Sequence, residues 1–228
     1  LERIVASMAA TARAAGIAIV TGDTKVVPRG AADKLFINTA GIGAIPVGLT
    51  WGASGIQPGD VLLVSGTLGD HGATILNLRE GLGMTGELRS DCAVLTPLIQ
   101  TLVNVPGIRA LRDATRGGVN AVAHEFAARC GCGIELQEHA LPVKPAVRGL
   151  CELLGLDPLN FANEGKLAIV VARSAAERVL TTLHQHPLGR DAAIIGEVVA
   201  QKGVRLTGLY GVTRTLDLPH AEPLPRIC

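Results

Sequence analysis

The sequence predicts an α+β fold, a mixed β-sheet covered by helices on one face, and three observations carry that prediction. Apolar residues fill 48% of 228 positions while aromatics fill only 2%, so the core is built from Ala, Val, Leu and Ile and is large enough for a full domain. Short β-branched runs alternate with helical spacings, in an order that reads loosely as β-α-β-β-α-β. The last eleven residues, Leu218–Cys228, leave this pattern: Pro219, Pro223 and Pro225 forbid helix and disfavour a central strand.

Taken in order, the apolar stripe Leu1, Ile4, Val5, Met8, Ala12 predicts a first helix to about Ala15, stopped by Gly16. The stripe starts at the first residue, with no Met and no cap, which implies that most of an N-terminal domain is missing. A short strand at Ile17–Thr21 leads into Gly22-Asp23-Thr24-Lys25-Val26-Val27. A longer strand pattern spans Lys34–Leu49, broken by Gly41 and Gly43. The turn Gln57-Pro58-Gly59-Asp60 precedes a buried strand at Val61–Ser65 and the loop Gly66–Gly72. Helices are expected near 71–81 and 92–104, and a strand at Ile108–Arg112 opens into Asp113-Ala114-Thr115-Arg116-Gly117-Gly118 and a helix through Arg129. Beyond lie strands at 133–138, 166–172, 193–199 and 203–216, with helices at 145–154 and 174–186. Three regions result: 1–50, 51–217 and the tail 218–228, which at about 3.1 Å per residue could reach roughly 30 Å.

A formal charge of +1 gives no electrostatic reason to expect nucleic acid or an acidic membrane as partner. No apolar run approaches the ~20 residues of a membrane span, and no signal-peptide pattern is present. The five cysteines, at 92, 130, 132, 151 and 228, are an odd count in a chain too large to depend on disulfides, which suits a reducing cytoplasm.

Each chemical motif has a plain structural alternative. Cys228 is either a frayed terminus or a sterically free thiol on a stiff arm, needing activation because a thiol near its free pKa of about 8.5 is weakly nucleophilic. Asp23 and Lys25 could hold Mg²⁺ and phosphate, or could form an ordinary turn. Asp113–Gly118 places an Arg and free backbone N–H groups at a helix start, which suits an anion, or Asp113 or Thr115 simply caps the helix. Gly69-Asp70-His71-Gly72 allows backbone approach to a ligand, or is a turn with Asp70 as cap. Glu164, in Asn163-Glu164-Gly165-Lys166, could be a general base if buried near a cation, or is merely solvated. Cys130-Gly131-Cys132 lacks the second Cys/His pair of a zinc site, with His124 and His139 isolated. Cys92 and Cys151 read as small core residues on helices.

Together, Gly22–Val27, Ser65–Gly72, Asp113–Gly118, Asn163–Lys166 and the terminal Pro225-Arg226-Ile227-Cys228 resemble the HypE family. Its members are hydrogenase maturation carbamoyl dehydratases of the AIR synthetase (PurM-like) superfamily. The resemblance covers essentially the whole chain, and the Pro-Arg-Ile-Cys ending is its most specific element. It implies a PurM C-terminal-domain-like fold for 51–217, with 1–50 the remnant of an N-terminal ATP-binding domain. It also implies a reaction: the carbamoyltransferase HypF loads Cys228, ATP activates the carbamoyl oxygen, and loss of phosphate leaves a thiocyanate. The nitrile then passes to iron in the HypC–HypD complex, for the [NiFe]-hydrogenase centre. By the same resemblance Cys228, Lys25 and Glu164 are catalytic. Asp23, Thr24, Lys25, Asp70, His71, Arg116, Gly117 and Gly118 bind ATP, and Asp23 holds Mg²⁺. The full-length protein is expected to be a cytoplasmic homodimer, and the present chain alone to be monomeric, inactive and a weak binder of nucleotide. Two other readings predict different outcomes. A superfamily ligase acting on a free small substrate would keep full activity without Ile227 and Cys228, and a pure docking module would support maturation with Cys228→Ala.

Overall fold

The structure, a computed structural model, describes residues 1–84 and 88–218. It divides into two units, Leu1–Leu49 and the chain from Thr50 onward.

In the first unit, α1 (Glu2–Ala14) ends as expected at Gly16, whose φ of 67° suits a residue without Cβ. The Ile17 N–H donates to the Ala12 carbonyl at 3.0 Å and the Gly16 N–H to that of Arg13 at 3.1 Å, the paired bonds of a Schellman cap. The strands expected at Ile17–Thr21 and Lys34–Leu49 are not formed. Both runs have β-branched residues, but a strand is a pairing, and the described residues of this unit offer no ladder.

The second unit is built on one seven-stranded sheet. Its strands are β1 (Val61–Val64), β2 (Ile108–Asp113), β3 (Gly133–Gln137), β4 (Leu167–Val171), β5 (Ala193–Val199), β6 (Gly203–Thr207) and β7 (Thr213–Thr215). They lie in the order β2-β4-β1-β5-β3-β6-β7, every pair antiparallel except β3 with β6. The helices are α2 (Asp70–Glu80), α3 (Thr96–Leu102), α4 (Gly118–Cys130), α5 (Pro145–Leu154) and α6 (Ala176–His184).

The mixed sheet is the expected one, but helices cover both of its faces. All four residues of β1 are buried. Leu62 and Val64 pack with Val119, Val122 and Phe126 of α4, whereas Val61 and Leu63 pack with Leu98 and Leu102 of α3 and Val179 and Leu183 of α6. Successive strand residues point to opposite faces, so the continuous run Val61–Val64 is what a doubly covered strand requires.

Two further expectations change. The run 203–216 is a hairpin, turned at Gly208–Gly211, where the Gly208 N–H donates to the Val212 carbonyl at 2.9 Å. The helix expected over 92–104 is limited to Thr96–Leu102, with Pro97 in its first turn. Cys92 is therefore an exposed loop residue, while Cys151 is buried on α5.

Candidate functional site

The sheet's topology places three of the sequence motifs together. β1 and β2 both run antiparallel to β4, with Val64 opposite Ala168 and Asp113 opposite Leu167. The loop leaving β1 (65–72), the loop leaving β2 (113–118) and the segment entering β4 (161–166) must therefore emerge at one end of the sheet. Asn163, 1% exposed, ties them. Its Oδ1 accepts the Gly69 N–H at 2.8 Å, and its Nδ2 donates to the Ala114 and Phe161 carbonyls at 2.9 and 3.1 Å. Three of its four polar valences are used on backbone.

The first loop delivers Asp70 and His71 onto α2. Gly69 holds the N-cap position at φ 81°, and Asp70 does not cap the helix. The buried Asp70 carboxylate instead takes the Thr67 hydroxyl and the Lys144 ammonium, 3.0 Å away, on Oδ2. Its Oδ1 is buried and has no partner among the described residues. His71 Nδ1 lies 2.9 Å from Ser90 Oγ, so a loop from elsewhere in the sequence holds the ring.

The second loop turns into α4 through two glycines at φ 69° and 60°. A Cβ on Gly118 would lie 2.4 Å from the Leu159 carbonyl oxygen, so only glycine lets this loop approach the 159–161 segment. Neither Asp113 nor Thr115 caps α4. Gly117 is its N-cap residue, with no side-chain cap. Asp113 pairs with Arg112, which also reaches Glu125 at 3.1 Å; these carboxylates raise the Arg112 guanidinium above its ordinary value, the Glu125 hydrogen bond leading. Arg116 is exposed beside the helix start. The Gly118 N–H donates to the Thr115 carbonyl at 2.9 Å, and the positive end of a helix beside a guanidinium suits an anionic ligand.

The third segment carries Glu164, whose Oε1 is buried without a partner among the described residues. Its backbone N–H donates to Asp91 Oδ1 at 3.0 Å, and Lys166 Nζ lies 3.1 Å from Asp91 Oδ2. Side-chain exposures of 11% for Lys166 and 3% for Asp91 make this a buried pair. Glu164 is thus half-buried rather than fully solvated, and the nearby Lys166 ammonium is paired with Asp91.

Motif reasoning did not single out Asp91, Ser90 or Lys144, which act from 73, 19 and 74 positions away on the residues they hold. No local pattern announces such pairings; Gly165 was the available hint, because a Cβ there would lie 2.0 Å from the Asp91 carbonyl oxygen. Asp23, Thr24 and Lys25 are exposed residues of the first unit, with the Thr24 N–H donating to Asp23 Oδ1 at 2.8 Å. Cys228 lies outside the described residues. Cys130 and Cys132 direct their thiols to the Ala127 and Cys130 carbonyls, and burial raises the Cys130 thiol. No helix of the described residues is long and apolar enough to cross a membrane.

Two family profiles match the chain. The AIR synthase related protein, C-terminal domain, matches residues 57–208, and the corresponding N-terminal domain matches residues 1–45. The chain is 80% identical to carbamoyl dehydratase HypE of Escherichia coli (strain K12), over all of this chain and 68% of that protein. Among solved structures it resembles a HypE–HypF complex with a TM-score of 0.92 at 45% identity, covering 96% of this chain and 72% of that one. It also resembles hydrogenase maturation protein HypE in complex with ATP, with a TM-score of 0.92 at 44% identity, covering 97% and 69%.

Proposed function

Because this chain belongs to the HypE family of carbamoyl dehydratases, on the AIR synthase-related fold, we propose that it performs the ATP-dependent dehydration of a carbamoyl group carried on Cys228. The product is a thiocyanate, the source of the cyanide ligands of the [NiFe]-hydrogenase iron. What carries the reading is that the whole of this chain matches proteins named for that reaction. HypF, present in the related complex structure, is the partner that loads the thiol, and the HypC–HypD complex is the recipient. A cytoplasmic homodimer is the proposed working form. The proposed domain roles are nucleotide binding for 1–50, the catalytic lobe for 51–217, and a carrier arm for 218–228.

The chemistry balances without a redox partner. An amide oxygen leaves poorly, so transfer of the ATP γ-phosphoryl to the carbamoyl oxygen, with loss of one N–H proton, gives a phosphorylated imidate and ADP. Loss of the second N–H proton then expels phosphate and forms the C≡N bond, with the S–C bond kept throughout. Glu164 is the proposed proton acceptor, supported by its buried, unpartnered Oε1. The family resemblance supports Lys25 as the cation that offsets charge on the transferring phosphoryl, and Thr24, Asp70, His71, Arg116, Gly117 and Gly118 as nucleotide-binding residues. Mg²⁺ usually keeps most ligands from phosphate and water, so a single exposed carboxylate such as Asp23 fits it, and the ion would supply charge neutralisation at the phosphates.

Replacing Cys228 with Ser tests the reading directly. The expected result is loss of cyanide delivery to iron with ATP binding retained; undiminished delivery overturns it.

A further inference from the structure

We propose that Asp91 is the positioning residue of Glu164, an inference that rests on Glu164 being the dehydration base. Four contacts converge on the Glu164 backbone and its flanks. Asp91 Oδ1 accepts the Glu164 N–H at 3.0 Å, and the Ala93 N–H donates to the Glu164 carbonyl at 3.4 Å. On the far side of Gly165, Lys166 Nζ meets Asp91 Oδ2 at 3.1 Å, an ionic contact rather than an aligned hydrogen bond. The Asp91 carbonyl itself occupies the space a Cβ at Gly165 would need. The loop 91–93 therefore grips the backbone of residues 164–166 on both sides, and the Glu164 Oε1 it positions is buried without a partner among the described residues.

The same loop serves the other end of the site. Ser90 Oγ lies 2.9 Å from His71 Nδ1 and accepts the Cys92 N–H at 3.2 Å, so one short segment braces both a nucleotide-loop histidine and the proposed base. Stability alone accounts poorly for the ion pair, since buried pairs are often replaceable by apolar side chains without loss. A base must be held within a few tenths of an ångström of its proton, and small misplacements are costly to rate. Asp91 performs that holding through the Glu164 N–H, with Lys166 fixing its other oxygen.

The test uses two neutral pairs in the whole protein, Asp91→Asn with Lys166→Met and Asp91→Leu with Lys166→Met. Both remove the buried charges together, so neither leaves an uncompensated ion, and only the first retains an acceptor for the Glu164 N–H. The readouts are the single-turnover dehydration rate with Cys228 preloaded, and ATP affinity. The Asn/Met protein is expected within about threefold of wild type, and the Leu/Met protein about tenfold or more slower, with ATP affinity matched within about twofold. Adding Glu164→Gln should erase the difference between the two. Equal rates in the two neutral pairs, or a gap that persists in the Glu164→Gln background, overturns the inference. Glu164→Gln alone dehydrating at the wild-type rate overturns the base assignment itself, an outcome distinct from failure of the clamp.

Discussion

Asn163 accepts the backbone N–H of Gly69 at 2.8 Å across 94 residues of sequence. One buried amide therefore closes the angle between the β1–α2 loop and the segment entering β4, while its Nδ2 secures the β2–α4 loop at Ala114. Aspartate at this position would keep the acceptor but lose both donors. The Phe161 carbonyl would be left without its partner, and a carboxylate oxygen would be set against the Ala114 carbonyl, which keeps only the backbone N–H of residue 163, at 3.0 Å. Asn163→Asp should cost about 2–4 kcal/mol of stability, measured by urea unfolding, and should weaken ATP binding. A change below about 0.5 kcal/mol would show that these loops do not depend on the staple.

Glycine positions make opposite predictions at two sites. At Gly118, φ is 60° and a Cβ would strike the Leu159 carbonyl, so Gly118→Ala should cost about 2–3 kcal/mol and displace the start of α4, the proposed nucleotide contact. Gly149 is exposed within α5 and a Cβ there meets nothing within 4 Å. Gly149→Ala should stabilise by roughly 0.5–1 kcal/mol. Thermal unfolding of both variants checks the contrast, and similar shifts in the same direction would contradict it.

Cys151 predicts an alkaline limit. Burial pushes its thiol up from 9.0 to about 11, with the Asp157 carboxylate adding to the rise. Between those values the unfolded chain ionises its thiol while the native one keeps its proton, so the unfolded state binds fewer protons and stability falls as pH rises. Below pH 9 the group contributes no slope. Cys151→Ala should flatten this part of the stability curve, whose full depth is on the order of 2 kcal/mol. An unchanged slope between pH 9 and 11 would assign the alkaline loss to other groups.

Glu164 should separate binding from chemistry. Glu164→Gln keeps the backbone contacts to Asp91 and Ala93 but removes the proton acceptor, so ATP affinity should hold while dehydration falls by about 10²–10⁴-fold. A parallel loss of ATP binding would make Glu164 a nucleotide contact instead.

Much of this was legible in the sequence, for identifiable reasons. From Val61 onward the periodicities gave nearly every strand and helix, because each element buries an apolar face whose spacing follows its geometry. Glycine and aspartate clusters at the strand ends marked the three loops that meet around Asn163. The failures are equally physical. The β-branched runs before Leu49 lack a ladder among the described residues, and propensity cannot supply one. Residues 92–95 have helical spacing, yet the chain there is held as a loop, with the Ala93 N–H donated to the Glu164 carbonyl. Helices on both faces follow from Val61–Val64 being apolar without alternation, a cue that an extended and a buried helical segment share. Asp91 and Lys166 are separated by 75 positions, and no local pattern could pair them.

Mass spectrometry of the peptide containing Cys228 addresses the carrier role most directly. After incubation of the whole protein with HypF, carbamoyl phosphate and ATP, the peptide should gain about 43 Da on carbamoylation, giving way to about 25 Da as the thiocyanate forms. A thiol that stays unmodified while cyanide still reaches iron would contradict the account.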